Sequence, residues 1–174
     1  MSEANLGVLR FQVTDLIGHP GLARAVAAEL ELDLKVGETV LKDVAEVLAH
    51  FDSMLEGIIA RGNASAVAHY QCARCLIEWD GPVEVEFAEL FVKSSNSRLA
   101  EDQSQIGHDG FIDLGSIVHD EISLSLPPDP LCKPDCEGLC PTCGADLNVA
   151  PCAGHDDLSS SPFAALKQLF GSET

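Results

Sequence analysis

The residues whose types and spacing could do chemistry are seven cysteines: Cys72, Cys75, Cys132, Cys136, Cys140, Cys143 and Cys152. Cys72-Ala73-Arg74-Cys75 forms one knuckle near mid-chain, and the other five form a denser group with His155 three residues past the last. Two residues between cysteines let a tight turn aim both sulfurs at one point. Thiolates are soft ligands that suit zinc, and a structural zinc site closes at four ligands. Seven cysteines plus His155 make eight ligands, enough for two closed sites. One division pairs Cys140, Cys143, Cys152 and His155 in a local site and joins Cys132 and Cys136 to Cys72 and Cys75, tying mid-chain to tail. The alternative is one site from the tail cysteines alone, with Cys72 and Cys75 as bystanders or a second, weaker site. The expected cofactor is structural Zn2+, one or two ions per chain. Gly138 and Gly144 flank the Cys140–Cys143 knuckle, and a glycine after the second cysteine lets backbone amides turn toward the sulfurs.

The segments that must position these residues alternate between strand and helix signals. Residues 8–13 alternate well enough for a strand, and 18–21 (GHPG) break it. Residues 22–30 (LARAVAAEL) are rich in helix formers and read as a short helix or a turn-like segment. Residues 40–60 are ambiguous, with strands favoured in the second half because Gly57, Gly62 and Asn63 punctuate it. Residues 64–70 lead into the first knuckle, and the clean alternation at 83–87 carries a strand away from it. Residues 94–110 read as an exposed polar connector. At 113–122 the apolar spacing is helical, with Asp113 as N-cap, until Pro127, Pro128 and Pro130 deliver the chain to Cys132. Residues 162–170 read as a short amphipathic helix with Pro162 at its first position. The expected fold class is α+β: mostly antiparallel strands with short helices and a C-terminal zinc-knuckle segment. The expected division is an α+β core over 1–130 and a cysteine-rich, zinc-binding tail over 131–174 packed on it.

Composition excludes several function classes. The net charge is -18, and it is uneven: residues 1–98 hold 8 basic and 15 acidic residues, residues 99–174 hold 2 and 13. Phosphate binding draws on clustered Lys and Arg, so direct RNA contact is expected to be weak and a basic protein partner fits better. A local basic face around Arg61, Arg74 and Lys93 would be the RNA-binding alternative. No run approaches the roughly 20 apolar residues of a membrane helix, and Met1-Ser2-Glu3-Ala4-Asn5 lacks the basic start of a secretory signal. A cytoplasmic location is expected, with no membrane partner, where clustered cysteines point to metal or redox roles rather than disulfides. A dithiol oxidoreductase is the less favoured reading, since Leu76-Ile77-Glu78-Trp79 and an alternating strand, not a helix, follow Cys75. The chain contains no P-loop, G-x-G-x-x-G, G-x-S-x-G or H-E-x-x-H. With no catalytic template and thiolate-rich sites that close, no enzyme activity, catalytic residue or small-molecule substrate is expected.

The element Cys72-Ala73-Arg74-Cys75-Leu76, followed by Asp113-Leu114, Leu124-Ser125-Leu126-Pro127 and LCKPDCEGLCPTCGADLN (131–148), resembles the YceD family, named for large ribosomal RNA subunit accumulation. The matching positions are Cys72, Arg74, Cys75, Cys132, Cys136, Cys140 and Cys143. Many relatives end the cluster C-x-C, whereas this chain has Cys152-Ala153-Gly154-His155. The resemblance implies a non-enzymatic factor promoting 23S rRNA accumulation or large-subunit assembly, with a ribosomal protein or pre-50S particle as partner.

Overall fold

In the computed structural model, residues 8–93, 104–152 and 154 are described. In chain order the first strands are β1 (Arg10–Gln12), β2 (Ala23–Glu31), β3 (Leu34–Val36), β4 (Thr39–Leu41) and β5 (Val44–Ser53). The remainder are β6 (Gly57–Gln71), β7 (Glu78–Lys93), β8 (Gln105–Ile106) and β9 (Phe111–Asp113), followed by the helix α1 (Gly115–Ser125).

β6 and β7, of 15 and 16 residues, are the spine. They pair antiparallel without a break from Gly57↔Val92 to Gln71↔Glu78, so the turn between them holds Cys72 and Cys75 at one end of the sheet. The other edge of β6 is shared: β5 pairs with its first half and β4 meets it at Val40↔His69. β2 adds to β5, β3 folds back on β4, and β8 runs parallel to the end of β7. β1 and β9 form a separate antiparallel ribbon.

Period-two alternation puts one face of the sheet in the core. Ala45, Val47, Ala49 and Phe51 of β5 are buried with Val83, Val85 and Phe87 of β7, and Leu114, Val118 and Ile122 from the α1 region join the same cluster. Phe11 of the β1–β9 ribbon meets Phe51 with ring centroids 5.3 Å apart. The opposite face keeps Val44, Glu46, Leu48 and His50 of β5 exposed, as an antiparallel sheet packed on one side allows.

These elements correct the expected fold class. The molecule is mostly antiparallel β-sheet, with α1 the one helix among the described residues, and not α+β. The main error lies at 22–30, where the expected helix or turn-like segment is strand β2. Its register with β5 runs from Ala23↔Asp52 to Glu31↔Val44. Helix propensity separates ordinary residues by no more than about 0.7 kcal/mol each, so pairing along a whole strand outweighs it. Residues 40–60 are strands apart from their turns, and α1 begins one residue later than an Asp113 N-cap would place it, with Leu114 at the N-cap position. Asp113 ends β9 instead, and its Oδ1 accepts the amides of Leu9 at 3.1 Å and Gly115 at 2.8 Å. Of the expected connector at 94–110, residues 104–110 include β8, while 94–103 lie outside the described residues. So does the expected helix at 162–170. No helix among the described residues is long and apolar enough to cross a membrane.

Candidate metal centre

The first cysteine pair sits in the turn of the β6–β7 hairpin. The Leu76 amide donates to the Cys72 carbonyl at 3.0 Å and the Cys72 amide donates to the Ile77 carbonyl at 2.8 Å. The knuckle at Cys140 repeats this construction: the Gly144 amide donates to the Cys140 carbonyl at 2.9 Å, and the Cys140 amide to the Ala145 carbonyl at 2.8 Å. Both turns need a left-handed residue after the second cysteine, Gly144 at φ 71° and Leu76 at φ 61°. Glycine adopts that conformation freely, whereas for other L-residues it costs roughly 1–2 kcal/mol.

The proline-rich segment after α1 returns the chain to the first knuckle. The Ala73 amide donates to the Pro130 carbonyl at 2.9 Å, and the Leu139 amide to the Arg74 carbonyl at 3.0 Å. Arg74 Nη1 donates to the Cys136 carbonyl at 2.7 Å. Gly138 (φ 78°) lies against this contact, where a Cβ would stand 3.0 Å from the Arg74 oxygen.

The result is two sulfur clusters. Cys72, Cys75, Cys132 and Cys136 form one, Cys140, Cys143 and Cys152 the other, and within each every sulfur lies within 4.8 Å of the rest. Individual separations are 3.8 Å for Cys72–Cys136, 3.5 Å for Cys75–Cys132 and 3.6 Å for Cys143–Cys152. Four thiolates placed tetrahedrally at about 2.3 Å from a zinc ion would lie about 3.8 Å apart. The first cluster therefore has the number, chemistry and spacing of a closed thiolate site, and none of the described cysteines is in a disulfide. The second offers three sulfurs; His155, expected as its fourth ligand, lies outside the described residues.

Electrostatics point the same way. Burial pushes the Cys72 thiol up, but hydrogen bonds from the backbone of Cys132, Cys75 and Arg74 outweigh it and bring it down to about 6. Burial and the neighbouring Cys75, Cys136 and Cys72 push Cys132 up to about 12. In the second cluster the backbone of Cys143 and Thr142 brings Cys140 down to about 6. Cys72 and Cys140 thus ionise readily, whereas Cys75 and Cys132 in the first cluster and Cys152 in the second are raised and resist ionising unless a cation is among them.

Two residues matter here that spacing alone did not single out. Asn148 Nδ2 approaches Cys136 Sγ at 3.5 Å, while its Oδ1 accepts the Glu137 amide at 2.9 Å. The same Nδ2 donates to Asp146 Oδ1 at 2.8 Å, a contact that with the Asn148 amide holds Asp146 below the usual carboxylate range. Trp79 packs against the first cluster and stacks on Tyr70, its partner across the hairpin, with ring centroids 5.3 Å apart. The asparagine in the CGADLN stretch was the available signal for the first; none marked the second.

The three residues of the RNA-binding alternative do not share one patch. Arg74 and Lys93 stand at opposite ends of the β6–β7 ladder, Arg61 pairs with Asp52, and the Arg74 guanidinium is engaged with Cys136. The Cys72–Cys75 motif lies in a hairpin turn, not at a helix start of the described residues that would activate a redox thiol.

A model of the YceD family, described as "Large ribosomal RNA subunit accumulation protein YceD", matches residues 60–170. The chain is 31% identical over 173 residues to an uncharacterized protein of Mycobacterium tuberculosis, covering 94% of this chain and 76% of that relative. It is 30% identical over 99 residues to the uncharacterized protein YlbN of Bacillus subtilis, 56% of this chain and 58% of YlbN. A chloroplastic protein of Zea mays, named large ribosomal RNA subunit accumulation protein YCED homolog 1, is 48% identical over 59 residues, 34% of this chain and 20% of its own. No solved structure matches.

Proposed function

The chain belongs to the YceD family, and from that premise we propose that it promotes accumulation of large-subunit ribosomal RNA without catalysing a reaction, through a basic protein partner. In this reading the partner is a ribosomal protein or a pre-50S particle, met in the cytoplasm. Zinc is the metal that suits the clusters. Cys72, Cys75, Cys132 and Cys136 would hold one ion, and Cys140, Cys143 and Cys152, with His155 as fourth ligand, a second. The role of the ion is structural: it neutralises crowded thiolates and ties the β6–β7 turn to the chain after α1.

The observation that carries the protein-mediated part is the sign of the surface. The chain bears a net charge of -18, and Arg61 and Arg74 are engaged within the fold. Such a field repels phosphate and speeds encounter with a cationic protein, more so at low salt.

The test is depletion of the protein from its cells with 23S and 16S rRNA measured together. Selective loss of 23S rRNA and of 50S particles is expected, with ribosomal proteins recovered in low-salt pull-downs. Unchanged ribosome profiles would overturn the role in accumulation, and pull-downs that recover rRNA without ribosomal protein would overturn the protein-mediated part.

A further inference from the structure

We infer that the outward face of the β2–β5–β6–β7 sheet docks a cationic protein segment that carries apolar side chains between its lysines and arginines. This rests on the reading above and adds to it the surface and the chemistry of its occupant. The face is set by register: Glu29 of β2 stands directly opposite Glu46 of β5, which pairs with Ser65 of β6, which pairs with Glu84 of β7. The next row runs Ala27, Leu48, Asn63, Glu86. All four glutamates are exposed, and none is in an ion pair with a described residue. Among the outward positions of these strands the one arginine or lysine is Arg61, which is held by Asp52.

Two features beyond the charge bear on the occupant. Like charges directly opposite on paired strands destabilise a sheet, so Glu29 and Glu46 are placed at a cost to the free protein that a cation between them would relieve. In the midst of the acids, Leu48 is 54% exposed and Val67 40% exposed. A shallow depression runs beside them past Arg61, Asn63, Glu84 and Glu86. A purely ionic surface has no need of these side chains, whereas a basic segment with apolar residues would cover them. RNA would set its phosphates against the glutamates.

The test uses the full chain and a synthetic peptide alternating lysine and arginine with leucine, read by fluorescence anisotropy at low and high salt. Carbodiimide coupling of peptide lysines to protein carboxylates maps the site. Glu46→Lys with Glu84→Lys is compared with Glu56→Lys with Asp120→Lys, which changes the net charge equally away from the face. The face variant is expected to weaken binding on the order of tenfold beyond the control, since opposed local charges set such affinities. Coupling is expected at Glu29, Glu46 and Glu84. Glu46→Lys alone is expected to melt no lower than the unaltered protein, because it replaces a repulsion by an attraction, so weaker binding cannot be ascribed to unfolding. Equal weakening by both double variants, or coupling elsewhere, overturns the docking face, as does loss of binding to a 23S rRNA fragment in its place. If the face variant loses the peptide yet restores 23S rRNA in depleted cells, the docking face stands and the protein-mediated account of accumulation falls.

Discussion

Cys72 and Cys136 stand 64 positions apart in the chain, with their sulfurs 3.8 Å apart at the end of the sheet. Everything from β7 through α1 is looped out between them. An ion held there would close a long loop in a buried setting, with Cys72 and Cys136 almost fully excluded from solvent. The second cluster spans a short stretch, and its Cys143 is exposed. Metal binding by a site that forms only on folding is itself folding free energy. Cys136→Ser should therefore remove one ion and lower the melting temperature by more than about 10 °C. Cys143→Ser should remove the other ion with less than half that effect. Metal content by plasma mass spectrometry and thermal melts check both, and retention of two ions in either variant would count against the paired-site reading.

Leu76 holds a left-handed backbone at the position filled by Gly144 in the second knuckle, and its side chain is 55% exposed. Replacement by glycine removes backbone strain of roughly 1–2 kcal/mol and adds unfolded-state entropy of about half that. Little burial is lost. Leu76→Gly is thus expected to leave chemical-denaturation stability unchanged or to raise it by up to about 1 kcal/mol. A fall of 2 kcal/mol or more would mean that Leu76 is packed more firmly than its exposure indicates.

The reach of the sequence differed between site and fold for a physical reason. Thiolate spacing is a local constraint, so Cys72 with Cys75 and Cys140 with Cys143 could be read as knuckles from the residues between them. Ligand arithmetic offered the convergence of Cys72 and Cys75 with Cys132 and Cys136 as one of two divisions, and the folded chain brings those four sulfurs together. Strand β2 was not legible, because Ala23, Ala25, Ala27 and Ala28 suit a helix by propensity and become strand only once β5 lies beside them. Asp113 was legible as an acceptor for a helix-start amide, yet β1 pairing keeps it in β9. Asn148 escaped notice because its role is to a sulfur contributed from twelve residues upstream.

Asn148 and Gly138 both support the first cluster, one at the Cys136 sulfur and the other against the Arg74 backbone. Removing a polar group that orients a metal ligand typically lowers metal affinity 10–100-fold. Asn148→Ala, which deletes the contact to Cys136 Sγ and the acceptor for the Glu137 amide, should raise metal release to a chromogenic chelator by about tenfold. Gly138→Ala places a methyl 3.0 Å from the Arg74 oxygen at φ 78°. It is expected to destabilise the protein by about 1–3 kcal/mol and to speed release as well. Release rates equal to those of the unaltered protein in both variants would show that the four sulfurs hold the ion without this support.

Metal loading should depend steeply on pH, in a direction set by the cysteines. Without metal, Cys72 at about 6 is a thiolate at neutral pH, while Cys132 at about 12 keeps its proton. An ion bound by all four sulfurs must expel the Cys132 proton, and the Cys75 proton too, since that thiol is also raised. Each proton released strengthens binding about tenfold per pH unit. Affinity should therefore rise with pH through neutrality and collapse faster below about 6, where Cys72 is protonated as well. The metal-free protein behaves differently. Lowering Cys72 from 9.0 contributes stability that is present above that value and lost as pH falls through about 6. Raising Cys132 contributes stability that is present below 9.0 and lost as pH rises through about 12. The two windows do not overlap, so at neutral pH only Cys72 has a slope, and the metal-free protein loses some stability as pH falls toward about 6. The loaded protein, which must also take back the Cys75 and Cys132 protons, should lose more. Proton release on zinc addition, followed with an indicator dye in weak buffer, should give at least two protons per ion at the first cluster. Release of none would mean that the sulfurs are already ionised without metal, and the pH dependence would vanish with it.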